Sequence, residues 1–224
     1  MLTKLRVAAE GHDLTQLTGE VEVDETLYGG FTPGRKGRTT GAKLLVGIAV
    51  ERIPGGGFGR CCMAVLDNAQ TPELRSFLER FVAPGATVIT DGWMPYVRAC
   101  RGLYIHQPQV APGALAVVYL PGVHRIASLF KRWMLGTHQG SAGWDHVALY
   151  LDEFVFRFNR RRSRHRGLVF LRLLERCVDV GPAPYHELIV CQRPKHTPPT
   201  PPPPGSRGRT ATLEQPRAHR PWRG

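Results

Sequence analysis

The order of sequence patterns predicts an α/β fold, in which a mixed sheet of three antiparallel strands followed by parallel strands is flanked by helices. Three observations support this prediction. Short strand-like segments separated by Gly-rich turns come first, helical patterns then alternate with two further short apolar segments, and longer helical patterns follow. Strand patterns that alternate with helical patterns are typical of α/β domains.

The first three strands are predicted from short segments near the start of this pattern. Residues 20–26 alternate acidic and apolar side chains and end before Gly29-Gly30. Residues 43–52 and 60–66 are mostly apolar, and the turn at residues 54–57 separates them. Strands that follow each other through short turns predict an antiparallel meander.

A helix and a fourth strand come next. Thr71 is the expected N-cap and Pro72 the first helical residue, and apolar side chains then recur at helical spacing: Leu74, Phe77, Leu78 and Phe81. Residues 86–90 are the expected fourth strand. The remaining predicted elements are a short helix at 96–100, a strand at 104–106, a mobile Pro- and Gly-rich loop at 107–122, and helices at 124–135, 144–160 and 168–178.

Composition divides the chain of 224 residues into three parts. Residues 1–18 are weakly patterned and are interpreted as a short N-terminal remnant. Residues 19–180 carry the α/β pattern, and residues 181–224 are rich in Pro and Arg, which predicts a disordered tail.

The formal charge of +12 and the sequence pI of about 10.1 predict a polyanionic partner, of which nucleic acid is the commonest. The alternative is a solvated basic surface with a basic tail. No apolar run is long enough to span a membrane and no secretory signal is recognisable, so the expected location is the cytoplasm, with nucleoid association through DNA. The five cysteines lack a C-x-x-C pair and are expected to be buried thiols.

Two aspartates occupy positions that this strand order brings together. Asp24 lies in the first strand and Asp91 directly follows the fourth. Three meandering strands, a helix and a fourth strand form the opening order of the ribonuclease H-like fold, in which these two positions meet at one sheet edge. A third ligand would come from a later helix, and His124 begins one.

These residue types suit metal-assisted phosphodiester chemistry. Two divalent ions about 3.5–4 Å apart can hold both the attacking and the leaving oxygen of an in-line displacement. Magnesium requires oxygen ligands such as aspartate. Imidazole is less typical for magnesium but is tolerated by manganese. The expected cofactor is therefore Mg²⁺ or Mn²⁺, with two ions bound.

Four segments carry a resemblance to a known family. They are residues 21–26 (VEVDET) with Gly29-Gly30, residues 90–93 (TDGW) with Tyr96, residues 123–132 (VHRIASLFKR) and residues 150–161 (YLDEFVFRFNRR). The chain resembles DDE-type insertion-sequence transposases of the ISXO-like group between Gly19 and Val178. Each segment alone is weak, but their combination is specific.

The resemblance implies that Asp24, Asp91 and His124 are metal ligands and that Lys131 is the family's lysine, seven residues after the third ligand. That spacing is two helical turns, which places both side chains on one face. The third ligand is usually Glu in this family, so His124 is a departure. Glu153 is a reserve ligand.

Each of these residues also has an interpretation without a catalytic role. Asp24 could be a surface carboxylate, Asp91 a turn residue, His124 a helix-terminal histidine and Lys131 part of a solvated face. Glu153 could instead form a salt bridge with an arginine of the run that follows it, Arg157 or Arg160. Trp93 and Tyr96 are expected to lie in the core rather than to stack on bases.

Basic side chains in three segments are expected to contact DNA phosphates. They are Lys131 and Arg132, then Arg157, Arg160 and Arg161 at a helix end, and Arg35 and Lys36 in a Gly-rich loop. For each segment, the alternative is a solvated charged surface.

The predicted function is that of a transposase catalytic core, which cleaves element ends and joins them to target DNA. Its partners would be double-stranded DNA and a second copy of the chain, in a homodimer or synaptic oligomer. Because family members commonly carry a zinc ribbon and a helical DNA-binding segment before the first Asp, the expected form is a truncated copy. The alternatives are an inactive DNA-binding remnant and a general nuclease on the same fold.

Overall fold

The computed structural model describes residues 15–29, 43–109, 119–138 and 147–179. In these ranges the strands are β1 (Glu20–Tyr28), β2 (Leu44–Arg52), β3 (Phe58–Leu66), β4 (Thr87–Thr90) and β5 (Ile105–Pro108). The helices are α1 (Thr71–Phe81), α2 (Met94–Cys100), α3 (Pro121–His138), α4 (Val147–Asn159) and α5 (Arg166–Asp179). The predicted tail at 181–224, most of the predicted N-terminal remnant and the loop with Arg35 and Lys36 lie outside the described residues.

The five strands form one mixed sheet in the order β3-β2-β1-β4-β5. β1 pairs antiparallel with β2, and β2 pairs antiparallel with β3. β1 and β4 are parallel, as are β4 and β5. The predicted α/β fold with a ribonuclease H-like sheet is therefore confirmed. None of the helices in the described ranges is long and apolar enough to cross a bilayer.

Helices cover both faces of the sheet, and its second strand, β2, is apolar on both sides. Val21 and Val23 of β1 belong to a core that includes side chains of α1 and α2. Val46 and Ile48 of β2 belong to a second core with side chains of α3 and α4. Successive side chains of a strand point to opposite faces. The acidic residues that alternate with the valines of β1 therefore point toward α3.

Four of the described helices begin one to three residues earlier than the sequence predicts, and α1 and α3 show why. Gln70, not Thr71, is the N-cap of α1, and its side chain forms no capping hydrogen bond. Pro121 begins α3, three residues before the predicted start and within the predicted loop. Proline is compatible with the first turn because its missing N–H has no intrahelical partner there. The Pro-Gly pair was therefore wrongly interpreted as part of the loop.

Core contacts begin before the predicted domain boundary at Gly19. Leu17 is almost fully buried. Its N–H donates to the carbonyl of Phe81 at 2.8 Å, and the N–H of Ala83 donates to the carbonyl of Leu17 at 2.9 Å. These bonds hold the segment before β1 against the end of α1.

The cysteines in the described ranges are free thiols. Cys61, Cys62 and Cys100 are buried as predicted, whereas Cys177 is only partly buried. Cys191 lies outside the described residues. The buried thiols fill apolar space within the two cores.

The N-terminus of α3 is held by a carboxylate from β1. Glu22 is 0% exposed, and its Oε2 accepts hydrogen bonds from the N–H of Gly122 at 2.7 Å and of Val123 at 3.1 Å. Arg52 Nε donates to its other oxygen at 2.6 Å. The carboxylate thus satisfies helix N–H groups that lack intrahelical partners and lies at the positive end of the helix dipole.

Gly122 is required for this approach. A Cβ at Gly122 would lie 2.8 Å from Glu22 Oε2 and 2.8 Å from Cε1 of Phe58. Both neighbours are buried or partly buried and cannot move away freely. A side chain at this position would separate the carboxylate from the helix.

We expect Gly122→Ala to destabilise the protein by about 1–3 kcal/mol, the usual cost of overpacking. Gly136→Ala is the matched control, because Gly136 lies in the same helix and a Cβ there meets nothing within 4 Å. The control should stabilise by about 0.5–1 kcal/mol, since alanine is the better helix former. Urea unfolding of both variants measures the difference. Equal effects of the two changes would contradict the proposed role of Gly122.

Candidate active site

The sheet brings Asp24 of β1 close to Asp91, which directly follows the neighbouring parallel strand β4. Glu22 of β1 pairs with Ile89 of β4; Asp24 lies two residues further along β1, and Asp91 lies two residues after Ile89, just beyond the end of β4 at Thr90. Burial raises the pKa of Asp24 to about 7, and the negative charges of Glu25 and Asp91 raise it further, while a hydrogen bond from the Glu25 N–H opposes the shift. The two carboxylates are thus close enough to repel each other.

Hydrogen bonds fix the turn that carries Asp91. Trp93 N–H donates to Asp91 Oδ1 at 2.9 Å, and Gly92 N–H donates to Thr90 Oγ1 at 3.1 Å. The same hydroxyl lies 2.9 Å from Nε2 of His106 on β5. Gly92 has φ +84°, a left-handed conformation that favours glycine. Asp91 therefore forms a turn and also presents an exposed carboxylate beside Asp24.

Glu25 points to the opposite face of the sheet. Tyr96 O–H donates to Glu25 Oε2 at 2.5 Å, and Tyr96 is almost fully buried, as predicted. Burial, followed by the charge of Glu25, raises the pKa of Tyr96 well above its usual value. Burial likewise raises the pKa of Glu25. The sequence offered no signal for this bond, because its partners are 71 residues apart.

Helix α3 runs alongside the Asp24 side of β1. Its start is bound to Glu22, and further along Lys131 Nζ donates to Thr26 Oγ1 at 2.7 Å. Glu22, Asp24 and Thr26 alternate onto the same face of the strand, so α3 passes next to Asp24. Lys131 is exposed, and its amine is held two residues from Asp24 along β1.

His124 is the fourth residue of α3 and is partly buried. Its Nε2 is a buried nitrogen, and among the described residues it has no hydrogen-bond partner. An unpaired buried polar atom is costly and uncommon. A ligand at this nitrogen would remove that cost.

The residues present fit a divalent cation in part. Asp24 and Asp91 supply the hard oxygen donors that Mg²⁺ prefers, and a cation would relieve the burial and repulsion that raise the pKa of Asp24. His124 adds a buried nitrogen that has no hydrogen-bond partner among the residues that the structure describes. However, no three His, Cys, Asp or Glu side chains in the described ranges are grouped closely enough to hold a metal together. The structure therefore assembles the aspartate pair but not a complete three-ligand set.

The remaining sequence-predicted residues differ in the contacts that their side chains form. Glu153, the reserve ligand, forms a salt bridge with Arg157 at 2.7 Å. The guanidinium of Arg160 lies over the ring of Phe156. Arg132 is exposed on α3.

Arg161 ties the end of α4 to β3. Its guanidinium lies 3.7 Å from the ring centroid of Phe158 and donates to the carbonyl of Gly59 at 3.1 Å. Next to it, the side chain of Asn159 bonds both the N–H and the carbonyl of Cys61, at 2.8 and 2.9 Å. Arg161 thus helps to hold the end of α4 against β3, a structural role that its charge alone did not predict.

The prediction that Trp93 belongs to the core is wrong. Its side chain is 45% exposed, in contrast to the buried Tyr96 three residues later. Trp93 is the N-cap of α2 with an extended backbone, which turns it away from the helix face that packs against the sheet. Apolar character alone could not distinguish the two aromatic residues.

A comparison with protein families gives a direct assignment. The family model of the ISXO2-like transposase domain matches residues 16–159. The chain belongs to this family. The match runs from the segment before β1 to the end of α4 and so contains Asp24, Asp91, His124 and Lys131. The predicted resemblance to DDE-type transposases of the ISXO-like group is therefore confirmed.

Family membership has consequences for the chemistry. DDE transposases act on DNA and generally use divalent metal ions, so the domain is of a nuclease or transferase type. The match does not identify His124 as a ligand. A comparison with curated proteins found no significant match.

We expect Asp24→Asn to raise the thermal stability of the metal-free protein at pH 8 and to change it much less at pH 4. The folded-state pKa of Asp24, about 7, exceeds the ordinary aspartate pKa of 3.8, so the folded state retains a proton that the unfolded state loses between these values. Stability therefore falls as pH rises through this window. Asparagine removes that fall, and each kcal/mol gained should raise Tm by about 2–4 °C.

Calorimetric melting in the presence of EDTA measures this difference. Asp67→Asn is the control, because Asp67 is an exposed carboxylate after β3. It should melt like the wild type at both pH values. An Asp24→Asn variant that is no more stable than the wild type at pH 8 would contradict a destabilising charge at Asp24.

Proposed function

We propose that the chain is the catalytic domain of an insertion-sequence transposase, which cleaves DNA at element ends and joins the resulting 3′-hydroxyl to target DNA. One observation carries the proposal: Asp24 of β1 and Asp91, which directly follows the adjacent parallel strand β4, lie close together, and the pKa of Asp24 is raised. Paired carboxylates on this fold suit a divalent-metal site for phosphoryl transfer. Family membership supports the same reaction class.

In this proposal Asp24, Asp91 and His124 hold Mg²⁺ or Mn²⁺, with two ions bound during the reaction. Bound divalent ions supply charge neutralisation and activation of the attacking oxygen. Asp24 is fixed by the Glu25 N–H and Asp91 by the Trp93 N–H, so both carboxylates are held in place before substrate binds. Glu153 remains a reserve ligand, although its use would require loss of the salt bridge to Arg157.

The reaction needs positioning and charge stabilisation rather than a covalent protein intermediate. Water would attack first, and the freed 3′-hydroxyl would attack the target strand in the second step. Lys131 would hold a phosphate next to the reacting one, because its amine is fixed beside the same strand face as Asp24. The partner is double-stranded DNA, as element end and as target, and two copies of the chain would handle two ends together.

The side chains proposed to contact phosphates differ in their exposure and in the contacts that they already form. Arg132 is exposed, and the side chain of Arg157 is 66% exposed despite its bond to Glu153. Arg160 and Arg161 lie over aromatic rings, so they would act through their charge while remaining packed. Arg35 and Lys36 lie outside the described residues.

Calorimetric titration with Mn²⁺ and with Mg²⁺ tests the site. We expect the wild-type chain to bind, and Asp24→Ala, Asp91→Ala and His124→Ala each to weaken the affinity by more than about tenfold. Asp67→Ala, at an exposed carboxylate outside the site, should bind as the wild type does. An unchanged affinity in His124→Ala would remove His124 from the ligand set. A wild type that binds neither ion, even with DNA present, would refute the catalytic proposal.

Binding of duplex DNA at several salt concentrations tests Lys131. We expect Lys131→Ala to reduce the slope of log affinity against log salt by about one, because one phosphate contact is lost. Arg80→Ala is the control, since Arg80 lies on α1 on the other side of the sheet, over the Phe81 ring. An identical slope in wild type and Lys131→Ala would show that Lys131 does not contact phosphate.

A second candidate function is a DNA-binding remnant without catalytic activity. The specific observation in its favour is that His124 does not complete a three-ligand group with the aspartates in the described part of the chain. This candidate predicts metal-independent DNA binding and no cleavage. Metal-dependent joining of DNA ends would favour the transposase and would also exclude a general nuclease.

A further inference from the structure

Trp93 is an exposed aromatic side chain on a fixed backbone beside the aspartate pair. Its N–H donates to Asp91 Oδ1 at 2.9 Å, and its carbonyl accepts from Tyr96 N–H at 2.9 Å. These bonds hold the backbone on both sides of the residue. The indole therefore projects from a defined position two residues after Asp91.

The surface around Trp93 is apolar. Met94 is 56% exposed and Val97 is 37% exposed. Val97 lies three residues after Met94, so these two side chains are neighbours on the surface of α2, and Trp93 directly precedes them at the start of the helix. We refer to Trp93, Met94 and Val97 as the Trp93 patch. Within the described ranges, the indole itself forms no hydrogen bond and no aromatic contact.

The charges next to this patch restrict what can bind there. The carboxylates of Asp24, Glu25 and Asp91 lie close together, so this sheet edge repels DNA phosphates where no cation is bound. Lys131 offers a cationic contact on the α3 side of Asp24. On the other side, the Trp93 patch can attract nucleic acid without charge, through the flat face of a base.

A base inside a duplex is covered on both faces by its neighbours. A protein side chain can therefore stack only on a terminal base or on one that has left the helix. Aromatic side chains bind such bases strongly and with little sequence preference. A strand end is also where cleavage and joining would occur under the proposed function.

We propose that Trp93 stacks on an unpaired base next to the reacting phosphate and so positions the DNA strand between the aspartate pair and Lys131. The proposal rests on the proposed function for the location of the DNA end. The stacking itself needs neither metal nor catalysis. Trp93 is a substrate-binding residue in this arrangement, and Met94 and Val97 flank it.

The test uses the full chain in EDTA with a short DNA duplex that ends in a single-stranded 3′ overhang, and with the blunt form of the same duplex. 2-Aminopurine in the overhang reports stacking through loss of its fluorescence. We expect wild type to prefer the overhang and to quench the probe. Trp93→Ala should weaken overhang binding roughly tenfold and remove the quenching, whereas blunt-duplex binding should not change.

Two further variants separate stacking from general effects. Trp93→Phe should restore most of the affinity and quenching, because phenylalanine also stacks. Phe170→Ala is the control, since Phe170 is an aromatic residue on α5 that is 57% exposed and lies outside the family match. It should behave as the wild type does.

The outcomes distinguish this inference from the proposed function. Equal overhang binding by wild type and Trp93→Ala, or an equal loss on overhang and blunt DNA, would overturn the stacking role and leave the catalytic proposal intact. Selective loss on the overhang supports stacking even if the metal titration fails. Absence of binding to either DNA in EDTA would overturn the stacking role, which needs no metal, and would leave the catalytic proposal to the metal titration.

Discussion

The buried carboxylate of Glu22 joins three parts of the molecule. It accepts two N–H groups at the start of α3 and one from Arg52 of β2, while its own backbone belongs to the central strand β1. A buried charge is tolerated only when it is paired and hydrogen-bonded, and all three partners meet that condition here. Because α3 carries His124 and Lys131, the position of both relative to Asp24 depends on this contact.

The candidate active site contains polar groups whose burial and mutual repulsion lower the stability of the folded protein. Asp24 is a partly buried carboxylate with Glu25 and Asp91 close by, and the buried Nε2 of His124 has no hydrogen-bond partner in the described part of the chain. Such arrangements persist only when the surrounding structure holds them, and they are typical of functional sites. The rigid sheet and the hydrogen-bonded turn at Asp91 provide that support. Binding of a cation would convert the repulsion into attraction.

The basic residues do not form a uniform DNA-binding surface. Arg161 bonds backbone carbonyls of β3, and Arg52 neutralises Glu22, so part of the positive charge maintains the fold. Lys131 and Arg132 are exposed beside the site. Under the two proposals, the positive charge of Lys131 and Arg132 and the exposed ring of Trp93 would therefore contribute more to positioning a DNA strand than the total charge of the chain.

The sequence by itself determined the order of the strands along the chain, the sheet type and the family. Alternation and helical spacing record which side chains are buried, and that order predicts that Asp24, in the first strand, lies near Asp91, directly after the fourth. Only the tertiary structure decided the Glu22 contact with α3, the Tyr96 bond to Glu25, the structural use of Arg161 and the exposure of Trp93. The first three features join residues far apart in the chain, whereas the exposure of Trp93 depends on the direction in which α2 begins. The local pattern of apolar and polar residues carries no information about distant partners or about that direction.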